Sequence, residues 1–203
     1  LEAAKIAGVD FIVNVVTGTH HNIIHASAGH VYDAWMDAVL FAEKMSVVPI
    51  AARADIVLAS CGGYPKDINM YQAQKALDSA SLAVKEGGAI ILVAECPEGL
   101  GEKTFTQWVM DATCIEDIEK RFIDHFELGG HKAFAICRTL RHADIYLYSS
   151  MPDSTVQRLY ITPVHDLQEL LKDLLYKYGP QASILVMPEA PKIAVKITSE
   201  NKS

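Results

Sequence analysis

The feature that most limits the fold is a series of short, unbroken apolar runs set between helical stretches. ADIVLAS (54–60), AIILVA (89–94), DIYLY (144–148) and ILVM (184–187) are too short for buried helices and rich in β-branched residues. Runs of this kind, without polar alternation, suit strands covered on both faces. Helical patterns are predicted between them over 69–85, 104–110, 115–126, 132–140, 153–159 and 167–178, with a short strand over 161–164. Strands separated by helices of this length pair in parallel. The expected fold class is therefore α/β, a three-layer arrangement with a mostly parallel sheet and helices on both faces. Ahead of it, 1–7 reads as a helix stopped by Gly8, 10–16 and 23–28 as a hairpin, and 30–45 as an amphipathic helix. No repeat or boundary interrupts the pattern, which gives one domain over 1–190 and a tail, 191–203, without assignment. The chain opens on LEAAKIAGVDF with no Met, as the second half of a helix would, so it is expected to be a piece of something longer.

Charge and cysteine content remove several functions. The net charge is −7 over 203 residues, so neither a nucleic-acid nor a membrane-surface role is indicated. Apolar runs fall short of the roughly 18 to 20 residues that span a bilayer. The four cysteines, Cys61, Cys96, Cys114 and Cys137, are scattered and form no CxxC pair. They read as buried free thiols of a cytoplasmic protein.

In parallel sheets, ligands bind outside the carboxyl ends of the strands, where loops lead into helices. The segment GGYPKDINMYQAQKAL (62–77) follows a buried strand and opens a helix. Asn69 is the expected N-cap, and Gln72 falls where a capping box places Glu or Gln. Tyr71, Gln72 and Lys75 occupy the first two turns, with Gln72 and Lys75 on one face. Free amides at a helix start together with Lys75 would form a receptor for a carboxylate or phosphate; the plainer alternative is a capped turn with a solvated lysine. A second candidate is FELGGHKAFA (126–135), where Gly129 and Gly130 break one helix and His131 and Lys132 begin another. Both side chains can hold or move a proton, and the alternative is a polar helix–helix corner. His20, His21, His25 and His30 share no forced face and have no acid interleaved, so no metal site is assigned and a polar turn is expected. ECPEGLG (95–101) is a glycine-bearing loop without the GxGxxG spacing of a dinucleotide site.

AAKIAGVDFIVNVV, ASCGGYPKDINMYQAQKAL, AECPEGLG and FELGGHKAFA, in this order, resemble the C-terminal half of the nickel-pincer lactate racemase family, from about Ala3 to Met187. The resemblance implies a 2-hydroxyacid racemase or epimerase with an active site between two domains. Its cofactor, a nickel-pincer nucleotide, would be held mainly by an N-terminal domain absent here, with no metal ligand in this chain. Tyr71, Gln72 and Lys75 match the family's YQxxK motif. It implies Lys75 and Gln72 as catalytic, Tyr71 and Lys75 as cofactor-binding, and Tyr71, Gln72 and Lys75 as substrate-binding. To these the second candidate segment adds His131 and Lys132 as substrate-binding. The lactate-specific members carry a tryptophan where this chain has GGHKAF, which implies another subgroup of the family.

The function expected is thus the substrate-facing domain of such an enzyme, inactive without its N-terminal domain, with a small anionic 2-hydroxyacid as ligand and an oligomer allowed. The alternative is a non-catalytic α/β module that binds a small anion or a partner protein.

Overall fold

The computed structural model describes residues 1–18 and 21–198. They divide into two compact units, Leu1–Val48 and Pro49–Ser203. The expected single domain over 1–190 set no boundary at Pro49.

That first unit contains α1 (Glu2–Ala7), β1 (Ile12–Thr17), β2 (Ile23–Gly29) and α2 (Val31–Ser46). The expected hairpin is present: β1 and β2 pair antiparallel, Ile12 opposite Gly29 and Val16 opposite His25. Strand alternation sends Ile12, Asn14 and Val16 inward and leaves Val13 and Val15 exposed. Ser27 Oγ donates to the Ala34 carbonyl at 2.7 Å, which ties β2 to α2. Ile23, Trp35 and Leu40 are also exposed.

The division at Pro49 falls within β3 (Val47–Ile50), and the rest of the second unit follows that strand. Its elements are β4 (Ala54–Ser60), α3 (Met70–Ala83), β5 (Val84–Val93), α4 (Lys103–Asp111), α5 (Ile115–Asp124), α6 (Gly130–Leu140), β6 (Ala143–Tyr148), α7 (Asp153–Arg158), β7 (Thr162–Val164), α8 (Leu167–Tyr178), β8 (Ile184–Met187), a 3-10 turn (Ala190–Lys192) and β9 (Ala194–Ile197). Five strands form one sheet in the order β7-β6-β5-β4-β8, and every pair in it is parallel. Successive side chains divide between its faces. Val57, Ala59, Ile90, Leu92, Ile145 and Leu147 face the larger core with α3, α4 and α6. Ile56, Ala89 and Ile91 face the smaller core, where Leu174 of α8 is buried and Leu167, Leu170 and Leu171 pack. The three layers expected from sequence are therefore present, with the helices unequally shared.

Two boundaries differ from the sequence pattern. The helix predicted to run to Lys85 stops at Ala83, and β5 begins at Val84 instead of Ala89. Val84 is β-branched and 1% exposed, so extension buries a side chain that suits a strand. The parallel register then shifts between Ala54 and Ile56, which absorbs residues 85–88. A Cβ on Gly88 would sit 2.8 Å from the Asp55 carbonyl and 2.7 Å from Val84 Cγ2, so only glycine allows the approach. Within the tail, β9 and Thr198 are anchored: the Ile50 carbonyl accepts from the Thr198 N–H at 3.0 Å and from its hydroxyl at 3.1 Å.

Candidate functional site

β4 lies between β5 and β8: from β4 the chain steps through β5 and β6 to β7 on one side, and then crosses back to place β8 on the other. This reversal is where open parallel sheets bind ligands. A cleft of about 500 Å³ opens at the carboxyl ends of these two strands, lined by Pro65, Lys66, Gln72, Lys75, Pro191 and Lys192.

The loop after β4 and the loop after β5 position its walls together. The Cys96 N–H donates to the Asp67 carbonyl at 2.9 Å and the Glu98 N–H to that of Ile68 at 3.0 Å. The first amides of α3 are then taken in turn. Met70 N–H donates to Gly99 O at 2.9 Å, Tyr71 N–H to Leu100 O at 3.1 Å, and Gln72 N–H to Asn69 Oδ1 at 3.1 Å. Asn69 is the N-cap, as the sequence indicates. The expectation of free amides for an anion is overturned: the glycine loop 99–101 supplies their acceptors. That loop must come close, since a Cβ on Gly101 (φ +94°) would lie 2.5 Å from Asn69 Cγ.

With the amides occupied, the charge of the cleft resides in lysines. Lys75 Nζ donates to Gln72 Oε1 at 2.7 Å. Gln72 therefore turns toward Lys75 instead of completing the reciprocal half of a capping box. Among the described residues Lys75 has no carboxylate within ion-pair distance, so its ammonium is held by a neutral amide and keeps donors to spare. Also at the cleft, Glu189 Oε1 accepts from Lys192 at 2.6 Å and from Lys66 at 3.1 Å. Lys192, then Lys66, holds the Glu189 carboxyl below the usual range, and Glu189 raises Lys192 in return.

Beside the cleft is a second group. Tyr71 is half-buried and meets Phe105 edge-on, with ring centroids 5.9 Å apart, so it also has a packing role that the sequence did not reveal. Lys132 Nζ stands 5.1 Å above the Tyr71 ring and donates to Gln74 Oε1 at 3.0 Å. Gln74 is 1% exposed, and its Nε2 has no hydrogen-bond partner among the described residues. Burial lowers the Lys132 pKa first and the charge of Lys75 second, opposed by Asp78. Tyr71, Gln72, Lys75 and Lys132 are thus brought together around the start of α3. His131 lies elsewhere: its Nδ1 accepts from the Gly129 N–H at 3.1 Å and its ring is 6.4 Å from that of Phe126, at the corner where α6 meets α4.

Two of the clustered histidines pair with acids. His25 bonds Asp37 at 2.7 Å and stacks on Phe41 at 4.3 Å, and His30 pairs with Asp33 at 3.7 Å. His20 lies outside the described residues. Among the described residues no three His, Cys, Asp or Glu side chains converge as a metal site. Cys61, Cys96 and Cys137 are buried free thiols pushed up to about 12 by desolvation, whereas Cys114, expected to be buried, is only half-buried at the start of α5. No described helix is long and apolar enough to cross a membrane.

Residues 50–195 match the model of the lactate racemase C-terminal domain. The chain belongs to the lactate racemase C-terminal domain family. The matched span opens at the boundary between the two units. The chain is 33% identical over 199 residues to a lactate racemase of Thermoanaerobacterium thermosaccharolyticum, covering 96% of this chain and 46% of that protein. It is 30% identical over 205 residues to a lactate racemase of Lactiplantibacillus plantarum, covering 96% and 47%. The solved structure of the lactate racemase apoprotein from the former organism superposes with a TM-score of 0.85 at 31% identity, over 96% of this chain and 48% of that one. A Thermotoga maritima protein of known structure shares the fold at 15% identity, with a TM-score of 0.63 over 93% of this chain and 49% of that one. The chain thus spans about half the length of the lactate racemases it matches.

Sequence reasoning missed Lys192, Glu189 and Gln74 at this site. Lys192 and Glu189 fall in MPEAPKI, directly after the last strand of the sheet, and the rule that ligands sit at carboxyl ends was the signal that could have found them. Gln74 carried none, because its importance comes from burial.

Proposed function

We propose that this chain is the substrate-facing half of a racemase or epimerase acting on 2-hydroxyacids. The observation that carries this is Lys75: an ammonium without a carboxylate partner among the described residues, facing a cleft at the reversal point of the sheet, in a family whose matched relatives are lactate racemases. Lys75 holds the substrate carboxylate by a charge-assisted hydrogen bond. Gln72 fixes the direction of that ammonium and is the second catalytic group. Tyr71 presents a ring that Lys132 braces from above, and Lys132 adds positive potential without reaching into the cleft. His131 serves the helix corner, with no substrate contact assigned to it.

The family's nickel-pincer nucleotide fits these residues in part. Tyr71 and Lys75 suit its aromatic and anionic portions, while ammonium and amide groups are no ligand set for nickel. When bound, that group supplies the acceptor for the hydrogen at the substrate Cα. This chain's own contribution is to bind, orient and neutralise the acid.

The partner is the protein's own N-terminal domain. The exposed apolar side chains Val13, Val15, Ile23, Trp35 and Leu40 of the first unit support this, since surfaces of this kind are normally covered. The buried reduced thiols suit the cytoplasm. The test is racemisation by the full-length protein with its cofactor. Lys75→Ala is expected to lower kcat/KM at least about tenfold, or about 1.4 kcal/mol of transition-state binding, and residues 1–203 alone are expected to racemise nothing. Unchanged kinetics in the variant would refute the role of Lys75. Binding of a hydroxyacid without turnover by the full-length protein would favour the non-catalytic anion-binding module.

A further inference from the structure

Two lysines of this protein are held differently from their neighbours. Among the described residues, Lys66, Lys85, Lys177 and Lys192 each donate to a carboxylate, at distances from 2.6 to 3.1 Å. Lys75 donates instead to the amide oxygen of Gln72 at 2.7 Å, and Lys132 to that of Gln74 at 3.0 Å. A carboxylate cancels the charge it holds, whereas an amide oxygen fixes the ammonium and leaves its charge in place. Lys75 belongs to the cleft already described. Lys132 and Gln74 are not part of its lining, and Gln74 has no function assigned to it above.

The plain alternative is a structural hydrogen bond that ties α3 to α6. Gln74 is buried beside Ala73 and Leu77 of the core. Lys132 has donors and no acceptor, so the amide oxygen is the atom that must face it and the NH2 turns away. That NH2 has no hydrogen-bond partner among the described residues, and a buried donor without an acceptor costs more than one ordinary hydrogen bond returns. A methionine at this position would pack without that cost, and the flexible stem of Lys132 could then carry its ammonium to water. Burial first and the charge of Lys75 second act against the ammonium of Lys132, with Asp78 in its favour. Yet Asp78, one turn further along α3, pairs with Arg138 at 3.5 Å and leaves Lys132 to the amide. Stability therefore does not account for the arrangement.

Placement of charge does. Tyr71 precedes Gln74 by one turn of α3, and its ring is set edge-on against Phe105 with centroids 5.9 Å apart. Lys132 Nζ stands 5.1 Å above that ring while bonded to Gln74. Its ammonium is thus fixed from two sides by groups of the same helix, one of them locked in the core. A positive charge fixed in this way beside Lys75 raises the potential for an anion at Lys75 without taking the place of that anion. On a mobile, solvated side chain the same charge would be largely screened.

We propose that Gln74 is a positioning residue: its amide oxygen pins the Lys132 ammonium over the Tyr71 ring with its charge uncancelled, and that charge strengthens the hold of Lys75 on the acid. This rests on reading Lys75 as the group that binds the substrate carboxylate. Gln74 touches no substrate and acts only through Lys132. A neutral acceptor is required, because a carboxylate in its place would hold Lys132 equally well and remove the charge.

The experiment uses the full-length protein with its cofactor and follows racemisation of lactate. Gln74→Met, Gln74→Glu and Lys132→Met are each expected to raise KM at least about fivefold, with kcat within about twofold of the parent. Gln74→Met combined with Lys132→Met should lose no more than either alone, and the urea midpoint of Gln74→Glu should be no lower than that of the parent. A merely structural hydrogen bond predicts the reverse for Gln74→Glu, which keeps shape and acceptor: a parent KM in that variant overturns this inference, as do losses that add in the double variant. Crystal structures give a readout independent of turnover. In Gln74→Met, Lys132 is expected to leave the Tyr71 ring, and a Lys132 that keeps its place there overturns the inference whatever the kinetics. A parent protein that racemises nothing overturns the racemase reading alone, and the position of Lys132 in Gln74→Met then decides the role of Gln74.

Discussion

Replacing Gly101 by alanine tests how the site is assembled without touching any residue that would meet a substrate. Gly101 adopts φ +94°, and its missing Cβ would stand 2.5 Å from Asn69 Cγ, 2.7 Å from Nδ2 and 2.8 Å from Oδ1. Two costs follow. An L-residue with positive φ loses about 1–2 kcal/mol. The Asn69 side chain must also move, which breaks its acceptance of the Gln72 N–H at 3.1 Å; loss of an N-cap costs about 1 kcal/mol. Together Gly101→Ala should destabilise the second unit by about 2–3 kcal/mol, a fall in Tm of about 4–12 °C for a protein of this size. Urea unfolding followed by Trp108 fluorescence reads this unit alone in a Trp35→Phe background, since Trp35 and Trp108 are the two tryptophans. The cap contribution can be isolated, because Asn69→Gly removes the clashing atoms and glycine is itself a tolerated cap. In that background Gly101→Ala should cost only the backbone part, a coupling of about 1 kcal/mol. A cost below about 0.5 kcal/mol, or equal costs in both backgrounds, would refute the claim that the 99–101 loop is fitted to the start of α3.

Two further outcomes are expected. The Asp55 carboxylate accepts from Lys85 Nζ at 2.8 Å and from the Ser183 N–H and hydroxyl at 2.8 and 2.7 Å, with Lys85 the first cause of a pKa held well below the usual carboxylate range. Such a group stabilises the fold above its unfolded pKa of about 3.9 and loses that contribution as pH falls toward the folded value; Asp55→Asn should therefore cost about 2 kcal/mol near pH 7, with the gap from the parent narrowing below about pH 4, and a gap constant down to pH 2.5 would contradict it. Buried thiols pushed up to about 12 are poor nucleophiles, so Ellman's reagent at pH 8 should label Cys114 in the folded protein well before Cys61, Cys96 and Cys137, and Cys114→Ser should remove the fast phase; equal rates at all four would count against the burial described.

The sheet was legible because its strands carry their own signal. AIILVA and ILVM have no polar face and no helical length, and runs of that kind are stable only between two layers. Asn69 was legible for a similar reason, as capping is decided within a few residues. The end of α3 was not, since Gly87 and Gly88 mark a stop but the chain leaves the helix four residues earlier to bury Val84 against the sheet. Gly88 is there for the Asp55 carbonyl, a contact between segments more than thirty residues apart.

The sequence by itself determined the layer architecture, the cap of α3 and the placing of Gln72 and Lys75 on one helical face, because each follows from periodicity or from interactions within one turn. Tertiary structure decided the charge of the site. It gave the amides of α3 to the glycine loop, set Lys132 above Tyr71, and carried Glu189 and Lys192 from the far end of the chain to the strand beside β4. Those pairings depend on which strands become neighbours in the sheet, and strand order is fixed by how the crossovers pack, which no local stretch of the chain encodes.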